Sequence, residues 1–274
     1  MTPMKTITAE DFDLKHTLAS GQLFRFMEDD GFYYVLMRDK AFKVAQEGGK
    51  LKFDGAPRKF ISDFFRLDED HSSTLKEINK DKHMAKAIAS CRGLRLMRQD
   101  PWECSISFIC SSASNIPKIR MNLFSLSKSF GRPLEFDGKT FYSFPEPGAI
   151  CDLRKIRAAK TGFRAEYIKK VNSFLNEDAI ACIRSMPYPI ARQSLMRLPG
   201  IGGKVADCIS LFSLGHLQAF PVDTWIRKGM QELYLHGKPN EKEIIRFAQD
   251  YFGDLAGYAQ QYLFHSIRLP RKIF

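Results

Sequence analysis

The spacing of apolar residues changes once along this chain, near residue 98, and that switch limits the architectures open to it. Before it, Phe32 to Met37, Ala41 to Gln46 and Lys50 to Asp54 are short runs rich in aromatic and β-branched residues. Arg-Asp-Lys and Glu-Gly-Gly separate them, which predicts an antiparallel meander. Pro57 to Arg66 and Asp81 to Cys91 read as helices beside it. From Gln99 onward the period is helical almost throughout. Asp100-Pro101 opens a helix to Ala113 in the cap-then-proline order of a helix start. Further helices are expected over Pro117 to Phe130, Arg164 to Leu175, Tyr188 to Arg197, Lys204 to Leu214, Asp223 to Tyr234, Glu241 to Phe252 and Tyr258 to Ile267. One hairpin, LEFDGKTFYSFP, turns at Asp137-Gly138. The expected fold class is α+β. An antiparallel β-sheet domain with helices over residues 1–98 precedes a mainly α-helical domain over 99–274.

Composition narrows the partners. The 274 residues carry 42 Lys+Arg against 31 Asp+Glu, a net charge of +11, which favours a polyanion, nucleic acid first and an anionic membrane surface second. A chain 44% hydrophobic and 27% charged is globular rather than fibrous or disordered. No apolar run approaches the roughly 18 residues of a bilayer crossing. The N-terminus, MTPMKTITAEDFD, lacks the charged-then-apolar pattern of a secretory signal. The expected location is therefore cytoplasmic and nucleoid-associated in a prokaryote, or nuclear in a eukaryote. The six cysteines (91, 104, 110, 151, 182 and 208) form no CxxC pair, against a zinc site or a four-cysteine cluster. They are expected to be reduced and mostly buried.

Residues 195–212 read LMRLPGIGGKVADCISLF, a Leu-Pro-Gly-Ile-Gly turn between two helical patterns. Gly200 and Gly202 permit a tight hairpin with positive φ and leave no side chain over the loop. Backbone N–H groups at the start of the second helix can then face an anion, gripping a DNA phosphate without reading sequence. The plain alternative is a glycine-rich turn between packed helices. Lys204 follows directly, in the first turn, where the macrodipole disfavours another cation and so favours the free amine of a Schiff-base nucleophile. From composition alone, Lys204 is one of 42 basic residues and is read as a phosphate contact. Nineteen residues on, Pro221-Val222-Asp223-Thr224 precedes another helix. There Asp223 is either a helix cap or a carboxylate facing the Lys204 cleft, able to stabilise a cationic sugar and relay protons.

LPGIGGKVADC followed by PVD resembles the helix–hairpin–helix–Gly-Pro-Asp superfamily of DNA glycosylases, and within it the 8-oxoguanine DNA glycosylase family. LASGQLFRF (18–26), RQDPWECSISFICSS (98–112), TGFRAEY (161–167) and GYAQQYLF (257–264) carry the same resemblance, in order, over nearly the whole chain. The resemblance implies a bifunctional glycosylase and AP lyase acting on duplex DNA as a monomer, with the damaged guanine flipped into a pocket. It casts Lys204 as the nucleophile at C1′ and Asp223 as its support. Around the base it implies the Gly21 carbonyl at N7–H, Gln260 on the Watson–Crick edge, Phe264 and Cys208 on the two faces, and Pro221 beside them. Guanine offers an acceptor at N7, so against a carbonyl it leaves two acceptors unpaired, a strong basis for rejection. Phe163, Arg164, Lys118, Gly200 and Gly202 are the implied DNA contacts. No organic cofactor is required. The main-chain oxygens of Met196, Leu198 and Ile201 are candidate ligands for a structural cation at the hairpin.

The chain departs from the family in places. Ala113 stands where asparagine commonly meets the orphaned cytosine, and Phe163 where tyrosine is more usual. Trp225 replaces a phosphate-contacting histidine and Ile267 its acidic partner. Arg164, the implied reader of cytosine, is present. Weaker preference for cytosine opposite the lesion is therefore expected. Residues 151–170 hold seven Lys/Arg against Asp152 and Glu166, a candidate phosphate-facing surface. Two rivals remain at this point: a glycosylase for another lesion, and a non-catalytic module that only holds phosphate.

Overall fold

The three expected runs form strands and pair as neighbours. The computed structural model describes residues 4–269. Its first part runs β1 (Lys5–Thr8), α1 (Leu14–Ala19), β2 (Phe26–Asp29), β3 (Phe32–Met37), β4 (Lys40–Glu47), β5 (Lys50–Asp54), α2 (Arg58–Phe64), α3 (His71–Ile78) and α4 (Lys82–Ser90). The five strands make one antiparallel sheet in the order β1-β5-β4-β3-β2. Its register sets Val35 opposite Phe42 and Val44 opposite Phe53, all four fully buried. Alternation thus delivers a single apolar face, and α2 covers it. The Phe42 ring meets those of Phe60, Phe64 and Phe65 edge-on, with centroids 5.7, 5.6 and 6.5 Å away. Each such side chain removed from water contributes about 1.5–3 kcal/mol.

The edge strands β1 and β2 carry no comparable signal. KTIT buries only Ile7 and FMED buries nothing, so their neighbours' ladders hold them in place. The sequence reading also passes over α1, α3, α7 and α9, four short helices announced by capping residues rather than by apolar period. Asp13, Asp70, Asp152 and Asn176 cap them, each accepting from backbone N–H groups of the first turn.

The remaining elements are α5 (Pro101–Cys110), α6 (Ile116–Phe130), β6 (Pro133–Phe136), β7 (Lys139–Tyr142), α7 (Leu153–Ala158), α8 (Arg164–Phe174), α9 (Glu177–Ser185), α10 (Tyr188–Met196), α11 (Gly203–Ile209), α12 (Thr224–Leu233), α13 (Glu241–Phe252) and α14 (Ala256–Arg268). β6 and β7 form the expected hairpin, with positive φ at Asp137 and Gly138 (53° and 72°) as a primed turn requires. The helix expected over Lys204 to Leu214 is not uniform. α11 stops at Ile209 and the chain continues as a π-helical turn, Ser210–Leu214, closed by Gly215 at φ 88°. All ten residues of α5 are buried, so this helix is the centre of the larger core. Glu103 on it receives Arg25 at 3.1 Å and the backbone N–H of Arg38 at 2.7 Å, which ties the sheet to the helices. α3 and α4 precede residue 98, yet their Ile78, Met84 and Ala87 belong to the larger core with α14. All six cysteines are free, with Cys151 and Cys182 exposed and the others buried. No described helix is long and apolar enough to cross a membrane.

Candidate active site

The hairpin is fixed from both sides. Gly200 alone of the glycine pair has positive φ, at 80°. A β-carbon there would lie 2.6 Å from Tyr167 Cγ, so only glycine fits. Gly202 is instead extended and caps α11. That corrects the expectation that both glycines supply a left-handed turn. Behind the loop, Asp207 on α11 receives Arg192 Nε and the Tyr188 hydroxyl from α10, both at 2.7 Å. Burial pushes the Asp207 carboxyl up to about 6, although both partners favour its anion. This network holds the two helices of the hairpin in register.

Lys204 is the second residue of α11. Its Nζ donates to Ser111 Oγ at 2.8 Å and lies 5.2 Å from the centroid of the Phe108 ring. The Ser111 hydroxyl in turn donates to Phe108 O at 2.7 Å. Its proton therefore points away from the amine, and a lone pair faces it. Ser111 caps the C-terminal end of α5, so a helix buried along its whole length positions the amine. One turn beyond Lys204, Cys208 is 3% exposed, and burial pushes its thiol up to about 12. It is a neutral wall. Asp223 is the cap of α12, its Oδ1 accepting Ile226 N–H at 2.8 Å, and the charges of Lys204 and Asp223 both act on the Cys208 thiol.

The other residues expected around the base lie on α14 and in the loop before β2. Gln260 is buried, and its Nε2 donates to Pro221 O at 3.0 Å. Its Oε1 is buried without a partner among the described residues. Phe264 stands one turn on. Gly21 has φ 80°, and a β-carbon there would lie 3.2 Å from a Phe264 ring carbon. Gln261 Nε2 holds the loop by donating to Ser20 O at 2.9 Å, and Gln22 bonds Arg95 O at 2.8 Å and Met97 N at 2.7 Å. Gly21 is thereby clamped on each side against the ring.

The residues expected at the DNA surface divide. Phe163 is 59% exposed, next to Tyr167 and hence to the hairpin. Lys118 is half-buried on the first turn of α6. Arg164 is turned inward and buried. Its guanidinium donates to Thr161 O at 3.0 Å, Ala113 O at 2.8 Å and Ser112 O. Trp225 is exposed, and Ile267 packs against Gly229 of α12, where no histidine–acid pair can form. At the hairpin, Leu198 O already accepts Ile201 N–H at 3.2 Å. Main-chain oxygens there suit a hard cation, and no cluster of three or more His, Cys, Asp or Glu supplements them among the described residues. The sequence reading does not single out Phe108, Ser111 or Arg268. The first two lie inside RQDPWECSISFICSS, but only the fold shows that the end of that helix meets Lys204.

An amine-bearing hairpin packed against α5 and against Tyr167 of α8 points to the class, a helix–hairpin–helix DNA glycosylase. Residues 5–104 match the model of the 8-oxoguanine DNA glycosylase N-terminal domain. The chain is 31% identical to a probable N-glycosylase/DNA lyase of Methanothermobacter thermautotrophicus, over 96% of this chain and 95% of that protein. It superposes on MBOgg1 in complex with a low-affinity DNA ligand at a TM-score of 0.92, with 36% identity over 98% of this chain and 96% of that one. Against the Clostridium acetobutylicum 8-oxoguanine glycosylase/lyase bound to duplex DNA with cytosine opposite 8-oxoguanine, the TM-score is 0.90 with 32% identity, over 97% and 95% of the two chains. The chain belongs to the 8-oxoguanine DNA glycosylase family.

Proposed function

We propose that this protein is a bifunctional DNA glycosylase and AP lyase that excises 8-oxoguanine from duplex DNA. The observation that carries the reading is the Lys204 amine, held on Ser111 Oγ at 2.8 Å beside the buried Cys208 thiol. Nζ displaces the base at C1′. The sugar ring then opens to a Schiff base, and loss of a C2′ proton expels the 3′ phosphate by β-elimination. Asp223, fixed by its capping bond, stabilises the positive charge that develops on the sugar. Gln260 Oε1 offers an unused acceptor to the N–H donors of a guanine's Watson–Crick edge. A buried unpaired acceptor costs about 1–3 kcal/mol, which base binding recovers. The Gly21 carbonyl lies in the loop clamped beside Phe264, where it selects for a hydrogen on N7.

Borohydride trapping with lesion-bearing duplex tests this. A covalent adduct with the wild type and none with Lys204→Gln is the expected result. No adduct at all, or one that survives the substitution, rejects the lysine mechanism and leaves a phosphate-holding module.

Opposite-base preference belongs to the same proposal. Ala113 has no side chain to reach the orphaned cytosine, and the Arg164 guanidinium is engaged by backbone carbonyls. Excision from duplexes with C, A, G or T opposite the lesion is expected to vary by less than a hundredfold. A larger preference for C, about 2.7 kcal/mol or more, overturns it.

A further inference from the structure

Arg268 lies two turns beyond Gln260 and one beyond Phe264 on α14. Its guanidinium carbon sits 4.8 Å from the centroid of the Phe264 ring. Its Nη1 comes 3.1 Å from the position a β-carbon on Gly21 would take, and that nitrogen is buried without a hydrogen-bond partner among the described residues. The guanidinium thus rests on the ring assigned to the base and reaches the loop assigned to N7, and no hydrogen bond to a described residue holds Nη1 there. Burial disfavours its charge, and the carboxylate of Asp223 acts in the other direction.

Resting on the excision reading above, we propose that Arg268 occupies the extrahelical-base site of the DNA-free protein and must leave the Phe264 face before the lesion can stack there. A planar cation is a fitting stand-in for a planar base. It offers a flat face to the ring and N–H donors to the loop, so the pocket stays filled without an apolar plug. Its departure is easy, because Nη1 gives up no hydrogen bond to a described residue and the guanidinium regains water. The site therefore discriminates by competition: a base that cannot satisfy Gly21 and Gln260 does not displace the arginine.

The test compares Arg268→Ala and Arg268→Met in a Lys204→Gln background, which binds without excising. Affinities for an 8-oxoguanine duplex and for the same duplex undamaged are measured by anisotropy. The lesion-to-undamaged ratio cancels the loss of one positive charge near the backbone, and binding of undamaged duplex shows that each variant is folded. Emptying the site with alanine is expected to raise the ratio two- to thirtyfold. That range corresponds to the ~0.5–2 kcal/mol of such a cation–ring stack at about 1.4 kcal/mol per tenfold. Methionine refills the space and is expected to leave the ratio at or below its starting value. An unchanged or lower ratio with alanine overturns the proposal, because Arg268 then does not compete with the base. A rise with both variants also overturns it, because charge rather than occupancy then matters. If the Lys204→Gln protein with Arg268 intact does not prefer the lesion at all, the excision reading itself fails, a result distinct from either.

Discussion

Gly21→Ala separates backbone strain from pocket geometry. At φ 80° an L-residue pays about 1–2 kcal/mol for the left-handed conformation. Gly31, in the turn between β2 and β3, has φ 75° and open space around the position of a β-carbon. The two substitutions therefore carry the same strain, and only one of them adds crowding. At Gly21 the new methyl would lie 3.1 Å from Arg268 Nη1 and 3.2 Å from the Phe264 ring. The loop cannot retreat, because Gln22 and Gln261 clamp it. Phe264 must therefore give way by a few tenths of an ångström. Both variants are expected to lose about 2–8 °C in Tm, from roughly 2–4 °C per kcal/mol in a chain of this size. Displacing a positioned reactant by about an ångström costs on the order of a hundredfold, so a shift of this smaller size is expected to slow single-turnover excision by about tenfold in Gly21→Ala. Gly31→Ala should excise at the wild-type rate. Equal excision rates in the two variants would refute the reasoning, since strain without crowding would then account for both.

Further expectations follow from the same contacts. Ser111→Ala removes the hydroxyl that receives Lys204 Nζ. Misplacing a positioned nucleophile by about an ångström costs on the order of a hundredfold, so borohydride trapping should slow at least tenfold while affinity for undamaged duplex holds. Ala113 has φ 47°, which asparagine tolerates better than alanine. Ala113→Asn should therefore keep or raise Tm and increase the preference for cytosine opposite the lesion, read from the four-duplex excision series. His265 and His71 are buried, with burial lowering both to about 4, and His265 stands 3.0 Å from His16. Folding keeps both neutral, so the stability they contribute is present above pH 6.5, the unfolded value, and is lost as pH falls toward 4. Asp207, raised to about 6, acts in the opposite sense as it protonates. The check is therefore a difference: His265→Gln should flatten the fall in Tm between pH 6.5 and 4 relative to wild type, and an identical slope would refute the assignment.

The sequence by itself determined the elements whose apolar period is strong: β3, β4, β5, the two helices of the hairpin, and α14. It also marked Lys204, Asp223, Gln260 and Phe264, because a glycine hairpin, a helix cap and helical spacing are local patterns that resemblance could assemble into a site. What it could not supply was anything created between distant segments. Edge strands β1 and β2 have no hydrophobic alternation and exist only because β5 and β3 offer them unpaired backbone. α3 and α4 fall in the sheet half of the sequence but bury Ile78 and Met84 against α14. Only packing makes Ser111 the partner of Lys204, 93 residues away. The same packing turns Arg164 inward to the carbonyls of 112–113 and lays Arg268 across the Phe264 ring. Residue type and spacing fix which chemistry is available, whereas desolvation and the competition for hydrogen-bond partners fix where each charged group points. Those are properties of the assembled core.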